Sequence, residues 1–160
     1  MKILIVDDER AIRNTLKEIL EFEGYIVDLA EDGKQGVNMA LSNDYDLIYS
    51  DVKMPEMDGL DLLEAVHNKI KAPVVLISGH GNIETAVEAL KKGAWDFIEK
   101  PLDLNRLLVT TKNALERQSL TAELGQTKEQ VKKLQKKENH LKKINLPKTM
   151  IKKSKIIKKI

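Results

Sequence analysis

Asp7 and Asp8, Asp51, Ser78 and Lys100 each stand at, or close beyond, the end of a short apolar run. Three carboxylates gathered in one place repel one another unless a cation lies among them. Oxygen-only ligation by Asp suits a hard divalent ion, and Mg²⁺ is held by one or two carboxylates together with waters and phosphate oxygens. A carboxylate can also attack phosphorus and give an aspartyl phosphate. That chemistry needs a metal and a fixed cation to neutralise charge on the phosphoryl oxygens. Lys100 offers the cation, and Ser78 offers a hydroxyl that can bond to a phosphoryl oxygen. Asp51 is the best nucleophile because it ends the central strand alone, whereas Asp7 and Asp8 come as a pair. Each residue also has an ordinary reading. An Asp after a strand serves as a turn residue or helix N-cap, a Lys before Pro is commonly solvated, and Ser78-Gly79 is common turn chemistry. The chemical reading rests on their joint arrival in order at one rim.

The elements that bring them to one rim follow from the apolar pattern. Runs rich in β-branched residues recur at Ile3–Val6, Tyr25–Val27, Leu47–Tyr49, Val74–Ile77 and Phe97–Ile98. Short, nearly all-apolar runs suit parallel strands buried on both faces. Amphipathic stretches separate them. Ile12, Leu16, Ile19 and Leu20 share one helical face. So do Val37, Ala40 and Leu41, then Leu60, Leu63 and Val66, then Ile83, Val87 and Leu90, then Leu104, Leu107 and Leu108. Gly24 ends the first helix and Asp32-Gly33 precedes the second. Asp58-Gly59 starts the third, Gly81 or Asn82 opens the fourth, and Gly93 closes it. Strict alternation of this kind implies an α/β fold, a doubly wound parallel sheet with helices on both faces. Sites in such sheets form beyond the carboxyl ends of the strands, which is where the five polar residues fall.

Residues 1 to 118 resemble the receiver domain of a two-component response regulator. The stretches ILIVDDE, DVKMPEMDG (Asp51–Gly59), VVLISGHG and FIEKP carry the likeness. The resemblance implies a five-stranded sheet in the order 2-1-3-4-5, flavodoxin-like, with five flanking helices. It implies that Asp51 accepts a phosphoryl group from a sensor histidine kinase. Asp8 and Asp51 would ligate Mg²⁺ directly, with the backbone carbonyl of Lys53, and Asp7 through water. Ser78 would be the switch hydroxyl, Phe97 the switch aromatic, and Lys100 the phosphate-binding lysine before a cis bond to Pro101. Ser at 78 and Phe at 97 are the less common choices in that pattern. Trp95, beside Gly93-Ala94, stands near the face of the fourth helix, fifth strand and fifth helix; it reads either as an exposed contact residue there or as packing. The segments SGHGNIETAV and KKGAWDFIEKP are similar to receivers of the NtrC/NtrX-like class of sigma-54-dependent activators. His80 reads as a loop residue of that class, with a pH-sensing role the minor alternative.

The formal net charge of +2 conceals an asymmetry. Residues 1–119 carry 14 basic and 22 acidic side chains, and the last 41 residues carry 13 and 3. An acidic unit is thus joined to a strongly basic tail. Residues 119–144 read as a helical coiled-coil linker, with Leu120, Leu124, Val131, Leu134 and Leu141 in the seam beside polar Thr127 and Glu138. That spacing favours a homodimer through this helix, and the resemblance implies a homodimer contact through the face of the fourth helix, fifth strand and fifth helix, instead or as well. Pro147 ends the helix. Residues 145–160 read as the start of a truncated AAA+ ATPase domain, as a basic arm for nucleic acid or membrane surface, or as a solubilising tail.

Composition excludes several classes. With no cysteine, the chain has no disulfide framework, Cys nucleophile or thiolate zinc site. There is no apolar run of about 18 residues to span a membrane and no signal-peptide core, so a cytoplasmic protein is expected. No Walker motif occurs, and no helix-turn-helix can be placed after the receiver, so DNA binding by this chain itself is not expected. Beyond the transcriptional reading, three others remain. One is a stand-alone receiver acting by phosphorylation-dependent protein binding. A second is an Asp-nucleophile phosphatase, which would need an acid where Lys53 stands. The third is a nucleic-acid binder through the basic tail. The expectation is a phospho-accepting switch and not an enzyme.

Overall fold

Alternate residues of a strand point to opposite faces of its sheet, and that alternation divides the core of this protein in two. On one side Leu4, Val6, Ile48 and Leu76 pack with Ala40, Leu62, Leu63, Val66 and Ala89. On the other, Ile3, Ile5, Leu47, Tyr49, Val75 and Ile77 pack with Leu16, Leu20, Leu107, Ala114 and Leu115. The computed structural model describes residues 1–79 and 82–123, with side chains to residue 117. Its strands are β1 (Lys2–Val6), β2 (Ile26–Ala30), β3 (Leu47–Asp51), β4 (Val74–Ser78) and β5 (Asp96–Glu99). Its helices are α1 (Arg10–Phe22), α2 (Gly33–Ser42), α3 (Gly59–Val66), α4 (Ile83–Lys91) and α5 (Leu104–Glu123). All pairings are parallel, in the order β2-β1-β3-β4-β5. The chain reverses direction across the sheet between β1 and β3, which creates the crevice expected of a doubly wound sheet. α1 and α5 cover one face, and α2, α3 and α4 the other. Residues Met1–Leu115 form one compact unit that contains the sheet and the site.

Turn chemistry places the helix starts. Asp32 caps α2 through Gln35, Asn82 caps α4 through Thr85, and Asp58 and Asp61 form a reciprocal capping box on α3. Gly93 is required twice over. Its φ is +103°, and a Cβ there would lie 2.4 Å from the His67 ring.

Two expectations are corrected. The apolar face Ile83, Val87 and Leu90 exists on α4 but is turned outward, with Ile83 82% exposed. Ala89 is the buried residue of this helix, because a small side chain lets α4 sit close to the sheet and leaves the larger ones outside. The second strand runs three residues further than its apolar run, through Asp28, Leu29 and Ala30. Asp28 is tolerated because β2 is an edge strand. Its carboxylate pairs with Lys2 at 3.3 Å and accepts a hydrogen bond from the Tyr45 hydroxyl at 2.7 Å. Trp95 is half-buried and packs with the α1/α5 side of the core, the packing alternative of the two. His80, Gly81, the seam positions from Leu124 to Leu141 and the tail 145–160 lie outside the described residues. No helix among the described residues is long and apolar enough to cross a membrane.

Candidate functional site

The crevice is lined by strand ends. β1 ends at Val6 and delivers Asp7 and Asp8. β3 ends on Asp51, β4 ends on Ser78, and Lys100 follows β5 directly. Asp7, Asp8 and Asp51 each place a carboxylate oxygen within 4.8 Å of the others. Asp7 and Asp51 are buried, at 2% and 5% exposure, while Asp8 is exposed. The Lys100 ammonium reaches in from the β5 side, 3.4 Å from Asp51 Oδ2 and 3.7 Å from Asp7 Oδ2. Ser78 is buried beside it, and its carbonyl accepts from the Lys100 N–H at 2.8 Å, which ties the ends of β4 and β5 together. The Lys100–Pro101 peptide is cis. Phe97 is half-buried against the α2/α3/α4 side of the core.

The electrostatics follow from this crowding. Burial, reinforced by the Asp7 charge, pushes the Asp51 carboxyl up from 3.8 to about 6, and Lys100 only partly offsets it. Asp7 is also raised, chiefly by burial, against the lowering effects of the Glu9 N–H and Lys100. Among the described residues, one ammonium thus stands against a cluster of three carboxylates, an excess of negative charge. Its donor set is all oxygen, which suits a hard divalent cation. The residues present therefore fit a metal held by Asp7, Asp8 and Asp51.

The backbone around Asp51 is tightly built. The Val52 N–H donates to the Ile77 carbonyl at 2.9 Å, and the Gly59 N–H to the Val52 carbonyl at 2.8 Å. A Cβ on Gly59 would lie 2.4 Å from the Asp51 carbonyl oxygen, so the start of α3 approaches the end of β3 as only glycine permits. Between them the loop carries Lys53, whose side chain is exposed, and Glu56, held at φ 66°. One residue at the site escaped the sequence reading. Arg13 is buried on α1, and its Nη1 donates to the Asp7 carbonyl oxygen at 2.8 Å. Its signal was an arginine in the same helical stripe as Leu16 and Leu20.

Known proteins resemble this chain in sequence and fold. The family described as response regulator receiver domain matches residues 3–112. The nitrogen assimilation regulatory protein NtrX of Azorhizobium caulinodans is 40% identical over 161 aligned residues, covering 99% of this chain and 32% of that protein. The C4-dicarboxylate transport transcriptional regulatory protein DctD of Pseudomonas aeruginosa is 36% identical, over 76% of this chain and 27% of its own length. The structure of NtrX from Brucella abortus in complex with ATP superposes with a TM-score of 0.70 at 41% identity, over 78% of this chain and 29% of that one. The chain thus spans about a third or less of the length of each of these relatives.

Proposed function

The chain belongs to the response regulator receiver domain family, and on that footing we propose that Asp51 accepts a phosphoryl group from a sensor histidine kinase and that the domain switches a transcriptional output. The observation that carries the reading is the Asp51 carboxylate, buried at the end of β3, with an ammonium at 3.4 Å and two further carboxylates beside it.

In the transfer, an oxygen of Asp51 bonds to phosphorus as the bond from phosphorus to the donor's imidazole nitrogen breaks. The electron pair stays on that nitrogen, which takes up a proton. Asp51 must be ionised to attack, and a group titrating at about 6 is mostly ionised at neutral pH. Lys100 faces the charge arriving on the phosphoryl oxygens. Asp7, Asp8, Asp51 and the backbone carbonyl of Lys53 would hold Mg²⁺, Asp7 through water. When bound, Mg²⁺ supplies positive charge to the carboxylates and the phosphoryl oxygens.

The aspartyl phosphate carries close to two negative charges where ionised Asp51 carried one, and it sets them on phosphoryl oxygens further into the crevice. Ser78 and Lys100 then turn to its oxygens, and Phe97 moves into the space released. The face of α4, β5 and α5 changes as a shift between two populations. The small hold on α4, with only Ala89 buried, supports that reading. So does the outward stripe Ile83, Val87 and Leu90, which suits a homodimer contact.

The organisation we favour is a receiver at 1–118, a coiled-coil linker at 119–144, and at 145–160 the start of an AAA+ domain of a cytoplasmic sigma-54-dependent activator. The match to NtrX along 99% of the chain supports this over a stand-alone receiver. The test is incubation with a small phosphodonor and Mg²⁺. One phosphoryl group per chain is expected in the wild type and none in Asp51→Asn. Retained incorporation in the variant would move the site elsewhere, with Asp8 the next suspect.

A further inference from the structure

Arg13 takes no part in the chemistry above, yet it is held at its centre. It is the fourth residue of α1, on the stripe of Leu16 and Leu20, and it is buried with them. Helical side chains lean toward the N-terminus of their helix, so its guanidinium reaches back over the first turn. There Nη1 donates to the Asp7 carbonyl oxygen at 2.8 Å, and Nη2 stands 4.0 Å from the exposed Glu31 carboxylate. Burying a guanidinium is costly unless it is hydrogen-bonded, and packing alone would favour an apolar residue here.

The hydrogen bond falls on a particular peptide. The Asp7 carbonyl and the Asp8 N–H belong to one planar unit. The next peptide is held too, because the Glu9 N–H donates to Asp7 Oδ1 at 2.8 Å. The Asp7 N–H is fixed to the Ala30 carbonyl at 3.2 Å. Asp8 therefore has an exposed side chain on a backbone anchored at both flanking peptides. That backbone sets the direction of its Cα–Cβ bond, and its carboxylate reaches within 4.8 Å of those of Asp7 and Asp51.

We propose that Arg13 is a positioning residue for the cation site, holding the Asp7–Asp8 peptide so that the Asp8 carboxylate is aimed at a divalent ion shared with Asp7 and Asp51. This rests on reading the acidic cluster as a Mg²⁺ site. Arg13 touches neither the ion nor the phosphoryl group and acts through the backbone.

The test is calorimetric titration of the full chain with Mg²⁺, with folding checked by near-ultraviolet circular dichroism. Arg13→Met keeps the aliphatic stem and removes the donors. It should weaken Mg²⁺ binding about tenfold, the size typical of losing an outer partner of a metal ligand. Arg13→Lys, which still offers one donor, should recover part of the loss. In an Asp8→Asn background, Arg13→Met should have little further effect. An unchanged Mg²⁺ affinity in folded Arg13→Met would overturn the proposal, as would a full tenfold loss in the Asp8→Asn background. Should Arg13→Met fail to fold, Arg13→Leu, which also lacks a donor, takes its place with the same outcomes. A wild-type chain that binds no Mg²⁺ would instead remove the reading of the cluster itself.

Discussion

Replacing the Asp51 carboxylate by an amide of the same shape removes one of three mutually repelling charges, and the metal-free protein should become more stable at alkaline pH. Asp51 is raised from 3.8 to about 6 by burial and by Asp7, net of the attraction of Lys100. A carboxyl raised in the folded state binds its proton more tightly there than in the unfolded chain. Its contribution is fully present below the unfolded value near 3.8 and is lost as pH rises through about 6. Each tenfold difference in proton affinity between the two states is worth about 1.4 kcal/mol, so at pH 8 the ionised group costs the fold about 3 kcal/mol at most. The amide needs an acceptor for its own N–H groups, so a gain of about 1–2 kcal/mol is expected from Asp51→Asn. Urea titration at pH 8 with a chelator measures it. With a slope of about 2 kcal/mol per molar, the midpoint should rise by about 0.5–1 M. At pH 4.5 the difference should nearly vanish. Added Mg²⁺ should stabilise the wild type more than the variant, because a ligand stabilises the state that binds it. A variant less stable than the wild type at pH 8 in chelator, or a gap that ignores pH, would refute the electrostatic reasoning.

Lys100→Met leaves Asp7 and Asp51 without their ammonium. It should lower stability at pH 8 by about 1–3 kcal/mol, between the values for surface and buried pairs, and should slow phosphoryl uptake, both measurable on one preparation. Gly59→Ala places a methyl group against the Asp51 carbonyl oxygen. It should cost about 1–3 kcal/mol in urea titration and weaken Mg²⁺ binding by displacing Asp51; a silent substitution would contradict the close approach. Tyr49→Phe removes a buried hydroxyl that bonds Thr111 Oγ1 at 2.5 Å. It should cost about 1 kcal/mol and no more, since Thr111 still donates to the Leu107 carbonyl at 2.7 Å.

The order of the sheet came from the resemblance to receivers, but the gathering of the site was readable from the pattern itself, because topology leaves little freedom. In a parallel sheet every strand points its carboxyl end to the same rim, so a polar residue following an apolar run has its place settled by the run alone. Asp7, Asp8, Asp51, Ser78 and Lys100 needed no more than that. Other features depend on what packs where. Asp28 broke an apolar run, and nothing local announced that Lys2 and Tyr45 would receive it at a sheet edge. The stripe Ile83, Val87 and Leu90 has helical spacing, but spacing does not say whether a face turns inward. The raised Asp51 comes from a burial and a neighbouring charge that only the assembled crevice supplies. Arg13 looked like one more charge in an amphipathic helix until its reach back to the Asp7 carbonyl was visible.

The central claim is that Asp51 carries the phosphoryl group, and chemical trapping of the acyl phosphate tests it most directly. The protein is loaded with a small phosphodonor and Mg²⁺, reduced with borohydride, digested and sequenced by mass spectrometry. Reduction converts an aspartyl phosphate to homoserine. The account predicts homoserine at position 51 and nowhere else. Homoserine at Asp7 or Asp8, or a phosphoryl group retained on a side chain that borohydride does not reduce, would contradict it.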